Sequence, residues 1–545
     1  MPPYRFDQLD VHARLQQQAA AIEASGVHLK QLLAMPERLK DFSAQGGGLF
    51  YDFSHQRLDA PTMALLCQTA HDLDLSGQFA RMCAGEKINC TEKRAVLHTA
   101  CRNFSQNPVF VDNSDIMPDI RGVRHQIRSF CDDVHSGKLT GSTDKPFRHV
   151  VVIGIGGSYL GPEFVSTALS AYADKQICLH YLSNVDIDNF GAVANAVDPE
   201  TTLWVVISKS YTTAETTANT LQATQFMRQQ GLDPSRHTVT VTSQGSPGDD
   251  PSRPVLQTFH MYDYIGGRYS VTSAVGGVPL SLYLGYDRFE RFLKGASEMD
   301  AHALTAPPEH NLPVLAALIS MWNISYLGYQ QLAIIPYTSP LAKLAPHIQQ
   351  LSMESNGKGV DRNGKFLETP AGMVIFGEPG TNAQHSFFQL AHQGNPFPID
   401  FIGVLKPHFG HHNALSKGVT NHQELWANLL AQASALAMGR ENSQSERYFS
   451  GNRPSSTLVM EDLSPENLGR LLSFYEARTI FEGFLWGVNS FDQYGVELGK
   501  SLAGELRQEM AQKNRDPQYD FDKTDEISKF YLEMLFNASN KPAGE

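Results

Sequence analysis

Apolar residues along this 545-residue chain are distributed in two regimes. Between residues 148 and 265 they form short unbroken runs: HVVVI, ICLHYL, TLWVVI, HTVTV and the stretch from Phe259 to Ile265. Runs of that length without polar alternation read as strands buried on both faces of a parallel sheet. Helix-forming segments between them predict right-handed crossovers and a ligand beyond the carboxyl ends of the strands. Past Gly285 the spacing turns helical, over 288–303, 311–332, 340–355, 382–393, 422–438 and 465–487. Within 373–410 the runs MVIFGEP and PIDFIGVLKP supply strands of a second sheet.

The beginning of the chain reads as helix over 9–45, divided at Pro36, and stops at Gly46-Gly47-Gly48. LFYDFSHQRL then gives a strand and a turn. Residues 61–104 read as helix again, with basic residues that serve either as a solvated face or as the frame of an anion. APPEHNLP and 440–456 read as surface loops. The polar tail from Lys513 contains one amphipathic run, SKFYLEMLF, fit for an arm that packs on a neighbour.

One stretch organises the rest. The run Leu203 to Ile207 is followed at once by Ser208, Lys209, Ser210, Thr212 and Thr213. Thr212 and Glu215 have capping-box spacing, so a helix is expected to start there. Unpaired N–H groups and a partial positive charge at a helix start suit a phosphate or a carboxylate. A Ser/Thr-rich cap on an ordinary crossover helix would look the same. Upstream, Gly154-Ile155-Gly156-Gly157-Ser158 is a poor dinucleotide motif, because the acidic candidate Asp186 comes too late. A tight loop offering N–H groups and the Ser158 hydroxyl to a single phosphate fits better.

Composition narrows the class. With 41% hydrophobic and 19% charged residues the chain is globular, and its length calls for two or more domains. A net charge of −13 opposes nucleic-acid binding but not an anionic substrate in a local basic pocket. Six cysteines in the first third of the chain, without a C-x-x-C pair, read as reduced thiols. No signal pattern and no 18-residue apolar run is present, so a cytoplasmic protein without a membrane span is expected. His408, His411 and His412 lack zinc-site spacing, so no metal is expected.

Three stretches in the helical half place polar groups where a core-facing helix would not want them. In HIQQLSMESNGKGV, Gln350 and Glu354 share a face at a helix end, where the dipole would raise a carboxylate pKa. A surface glutamate beside Lys358 is the alternative. In EPGTNAQHSFFQLAHQG, Thr381 and Gln384 predict a cap that puts His385 in a first helical turn. In NSFDQYGVELGK, Gln493 and Lys500 lie seven apart and should point the same way, unless Lys500 pairs with Glu497.

With GIGGSYLGP, SKSYTTAET and GGRYSVTSAVG preceding those three stretches, the chain resembles the glucose-6-phosphate isomerase family over roughly residues 45–510. The resemblance implies an α/β fold of two unequal sugar-isomerase-type parallel-sheet sandwich domains plus a helical C-terminal arm. Residues 1–120 and 287–511 would form the larger domain, 121–286 the smaller, and 512–545 the arm. It implies a cofactor-free homodimer interconverting glucose 6-phosphate and fructose 6-phosphate through a cis-enediolate, as in glycolysis and gluconeogenesis. Glu354 would be the base between C1 and C2, and Arg268 would stabilise the enediolate. His385, offered across the dimer interface, and Lys500 would open the ring. Gly157, Ser158, Ser208, Lys209, Ser210 and Thr213 would hold the phosphate, with Gln350 and Gln493 along the sugar. Tyr159, Ser210, Val271-Thr272 and Leu351-Ser352 depart from the usual family residues, and Tyr159 and Leu351-Ser352 are expected to flank the site and bear on affinity. Broader hexose phosphate specificity and a non-catalytic sugar-phosphate sensor are the alternatives.

Overall fold

The computed structural model describes residues 4–173 and 176–539. Its chain divides into two compact units, Met1–Phe491 and Asp492–Glu545.

The first unit contains two sheets. Five parallel strands lie in the spatial order Cys178–Leu182, His149–Ile153, Thr202–Ile207, Thr238–Thr242 and Gln257–His260. In order along the chain that is 2-1-3-4-5. Val150 and Val152 face a core shared with Phe130 and Val275, from helices Met117–His135 and Ala274–Leu284. Val151 and Ile153 face Trp204, Phe190 and Met227, the last two from helices Ile187–Ala196 and Ala214–Gln229. Helices on both faces explain why these strands read as continuous apolar runs.

The second sheet has six strands in the order Ser43–Gly46, Leu49–Asp52, Ser455–Asp462, Ile399–Lys406, Gln331–Pro336 and Val374–Phe376. Its last four are parallel, and the N-terminal hairpin joins antiparallel. Helix Leu312–Met321 and most of helix Pro465–Trp486 are buried, which is why neither shows a polar face.

Several expected elements end differently. The helix expected over 311–332 stops at Met321 and passes through a widened turn, Trp322–Tyr326, to Gly328 at φ +74°. QLAIIP then forms a strand of the second sheet. A run that short fits a buried helix as well as a strand. The helical reading of 61–104 holds only as far as Cys83, because Gly85 at φ +98° ends it. Arg102, read as part of a basic face, is buried and paired with Asp300 and Glu476 at 2.6 and 2.5 Å. All six cysteines are unpaired thiols. Burial pushes Cys67, Cys83 and Cys101 up to about 12.

The second unit has helices Glu497–Arg515 and Glu526–Ser539. Between them Phe521 is buried, its ring 5.6 Å from that of Phe536, and the Tyr519 hydroxyl donates to Glu509 at 2.6 Å.

Candidate active site

In an open parallel sheet, a crevice forms where neighbouring strands send their connections to opposite sides. The 2-1-3-4-5 order puts that point between His149–Ile153 and Thr202–Ile207, which are hydrogen-bonded neighbours. The loops leaving those two strands are 154–158 and 208–213, the two stretches singled out for phosphate binding.

Loop 154–158 is shaped by its glycines. Gly156 has φ +57°, and a Cβ there would lie 3.1 Å from the Gln350 amide nitrogen. A Cβ on Gly157 would lie 2.8 Å from the backbone nitrogen of Arg268. The loop therefore runs against both Gln350 and the Arg268 turn, and Ser158 closes it half-exposed.

In the other loop Ser208 is buried, and its hydroxyl accepts from the Tyr211 N–H at 3.1 Å. The Lys209 ammonium donates to the Asp263 and Ile265 carbonyls at 3.0 and 3.4 Å. Burial draws it below the ordinary lysine value, against the pull of Asp263. The expected capping box does not form: the Ser210 and Thr212 hydroxyls bond each other at 2.7 Å, and Thr213 is the N-cap of helix Ala214–Gln229. Thr213 caps without using its side chain.

Facing these loops, Arg268 lies on the short turn Gly267–Tyr269 and is 3% exposed. Its Nη1 is 3.2 Å from Glu354 Oε2. Its Nε donates to the Ser355 hydroxyl at 2.7 Å, and its Nη2 to the Ser490 carbonyl at 2.6 Å. The Tyr269 hydroxyl also bonds Ser355 Oγ, at 3.0 Å. A guanidinium held on three sides presents fixed positive charge at one place, as an electrostatic catalyst requires. The Glu354 side chain keeps 23% exposure, so it is open to a ligand as well as to Arg268.

Local structure around Glu354 differs from the single kinked helix expected over 340–355. A turn at Ser339–Leu341 leads to helix Leu344–Ile348, which tolerates Pro346 in its first turn. The chain then widens into a π-helical segment, Gln349–Glu354. Such widened turns occur often at functional sites. Gln350 Oε1 is buried there without a partner.

His385 is not at the start of an α-helix. It ends the short turn Asn382–His385, and the helix begins at Phe388. Thr381 makes no side-chain cap bond, because Gln384 turns to donate to the Tyr337 hydroxyl at 2.7 Å. The His385 ring is exposed, and among the described residues it has no hydrogen bond, ion pair or ring contact. In the second unit Gln493 lies outside the helix at φ −152°, so the helical phase expected between it and Lys500 does not apply. Lys500 is exposed in the first turn of Glu497–Arg515. The sequence reading passed over Tyr269 and Ser355, although both stand in its own motifs, GGRYS and MESNGK.

A family model described as phosphoglucose isomerase matches residues 52–526. The chain belongs to the phosphoglucose isomerase family. It is 60% identical over 540 residues to a Desulfosudis oleivorans protein named glucose-6-phosphate isomerase, covering 98% of this chain and 99% of that one. Identity is 44% over 513 residues to a protein of Spinacia oleracea named cytosolic glucose-6-phosphate isomerase, covering 90% and 89%. The crystal structure of a glucose-6-phosphate isomerase from Chlamydia trachomatis matches with a TM-score of 0.88 at 38% identity, covering 98% of this chain and 100% of that chain.

Against the usual phosphoglucose isomerase pattern, the departures at Leu351-Ser352 and Val271-Thr272 are all buried. This corrects the expectation that Leu351 and Ser352 flank a substrate: they pack inward from the widened turn. Tyr159 is half-buried with its ring 6.4 Å from Tyr181. Among the described residues no group of three or more His, Cys, Asp or Glu side chains is placed to hold a metal ion. No helix of the described residues is long and apolar enough to cross a membrane.

Proposed function

We propose that the chain interconverts glucose 6-phosphate and fructose 6-phosphate, as a cytoplasmic homodimer. The 3.2 Å contact between Arg268 and Glu354, beside a glycine and hydroxyl-rich crevice at the sheet switch point, carries this reading. Names of the relatives support the substrate, and two of those names, from Spinacia oleracea and Zea mays, include the word cytosolic.

The reaction moves one proton between adjacent carbons. Glu354 takes the proton from C2 of the opened aldose while the carbonyl oxygen on C1 gains one, giving a cis-enediol. The same carboxyl returns its proton to C1 as the C2 hydroxyl gives up its own and becomes the ketone. Negative charge builds on the two oxygens on the way, and Arg268 is the fixed cation beside them. Ser158, Ser208, Lys209, Ser210, Thr213 and the Gly157 backbone hold the phosphate, so binding energy far from C1 and C2 orients the reacting carbons. Gln350 and Gln493 line the sugar. His385 of one protomer and Lys500 open the ring by moving a proton between the ring oxygen and the C1 hydroxyl.

The test is Glu354→Gln, assayed for fructose 6-phosphate turnover and for exchange of the substrate C2 proton with solvent. Both should fall by about a thousandfold or more, with inorganic phosphate still binding. Turnover near the wild-type rate would remove Glu354 from the role of base.

A further inference from the structure

The Arg268–Glu354 pair is closed into a ring by one side chain that the mechanism above does not use. Arg268 Nη2 rests on the Ser490 carbonyl, and the hydroxyl of the same Ser490 donates to Asn356 Oδ1 at 2.7 Å. Asn356 stands two residues past Glu354, so the backbone completes the circuit. Its Nδ2 donates outward to the Thr479 carbonyl at 2.9 Å and to Glu482 Oε2 at 3.2 Å. Glu482 Oε1 accepts from Arg478 Nε at 3.0 Å, and Arg478 Nη1 bonds Asp400 Oδ2 at 2.5 Å. Asp400 belongs to Ile399–Lys406, an interior strand of the six-stranded sheet.

We propose that Asn356 is a positioning residue for the proton transfer, fixing Glu354 through the backbone and Arg268 through Ser490 against the six-stranded sheet. The inference rests on the roles given above to Arg268 and Glu354.

Only a carboxamide satisfies this place, because it must accept from a hydroxyl while donating to a carbonyl and a carboxylate. An aspartate would set its second oxygen against two acceptors, and an apolar residue would leave three buried polar groups unpaired. Asn356 is fully buried, and Ser490, Glu482, Arg478 and Asp400 are all at least nine-tenths buried, so solvent does not repair a broken link. Gly483 makes room for the junction: a Cβ there would lie 1.9 Å from Ser490 Oγ and 3.2 Å from Asn356 Oδ1. The ring lies apart from loops 154–158 and 208–213, so it bears on the chemical step and not on the grip on phosphate.

Asn356→Asp, Asn356→Ala and Ser490→Ala test this beside Glu354→Gln. In the first three, kcat should fall about tenfold to a hundredfold, with KM for fructose 6-phosphate and the inhibition constant of inorganic phosphate within about twofold of wild type. A hydroxamate mimic of the enediolate should lose affinity by the same factor as kcat/KM. The polarity-swapped double variant Asn356→Asp/Glu482→Gln should recover part of the kcat lost in Asn356→Asp, which loss of stability alone would not produce. If the Asn356 variants fail to fold, Ser490→Ala decides, since it keeps the carbonyl that accepts from Arg268. A kcat within twofold of wild type, or an equal loss of phosphate and hydroxamate affinity, overturns the proposal. An active Glu354→Gln would overturn the assignment of the base itself, whereas an inactive one beside unaffected Asn356 and Ser490 variants would overturn only this inference.

Discussion

Gly157 and Gly267 meet backbone to backbone: a methyl group on Gly157 would lie 2.2 Å from both the carbonyl carbon and the carbonyl oxygen of Gly267. Neither partner is a side chain that could swing aside, so the contact ties the phosphate loop to the turn carrying Arg268. Gly157→Ala should push the two apart and lower kcat/KM for fructose 6-phosphate by about a hundredfold or more, as misplacement of about 1 Å does elsewhere. Steady-state kinetics on the folded variant checks it.

Arg268 is expected to tolerate no other cation. Its three donors go to Glu354, Ser355 and the Ser490 carbonyl, a planar fork that a lysine ammonium cannot reproduce. Arg268→Lys should lower kcat by about a hundredfold or more while KM moves little, as for a charge needed mainly in the transition state. A KM effect without a kcat effect would assign Arg268 to substrate binding instead.

Lys209 should act on the phosphate alone. Lys209→Ala is expected to weaken inorganic phosphate inhibition and to lower kcat/KM by the same factor, about tenfold to a hundredfold. Unequal factors would separate the lysine from the phosphate.

His385 gives a subunit test. Mixing Glu354→Gln with His385→Ala protomers under conditions of subunit exchange should restore about a quarter of wild-type activity, because half of the dimers are mixed and each carries one intact site. Two inactive parents that stay inactive on mixing would show that the histidine works within its own chain.

Stability at acid pH should depend on His347. It is buried, its ring stacks on Phe164 at 5.4 Å, and neither ring nitrogen has a hydrogen-bond partner. Burial pushes it down to about 4. The unfolded chain takes up this proton near pH 6.5 and the folded chain does not until about pH 4, so acidification through that window favours unfolding. His347→Phe keeps the stack and should lessen the acid loss of stability by about 3 kcal/mol between pH 6.5 and 4. Denaturant unfolding across that range measures it.

Sequence reached the core strands and the two loops because their signals are local. Leu203 to Ile207 can hardly be other than a buried strand, and the glycines and hydroxyls that follow such strands mark a turn at a ligand. Glu354 and Arg268 stood out only through their motifs, since 86 positions lie between them and nothing in either stretch points to the other. The widened turn at Gln349–Glu354 was hidden, because its residues satisfy an ordinary helical pattern equally well. Strand Gln331–Pro336 was absorbed into the preceding helix for the same reason, and Ser455–Asp462 went unread. The ring through Asn356 was out of reach, since Ser490 and Glu482 are 134 and 126 residues away in the sequence.

The widened turn before Glu354 makes the count of residues there as decisive as their identity. Dropping a single residue between Gln349 and Glu354 would let the segment relax into regular α-helix and swing everything beyond by about 100°. The carboxylate would then leave the guanidinium although every catalytic side chain was still encoded. In this stretch an in-frame loss of one codon should therefore be more damaging than most single substitutions.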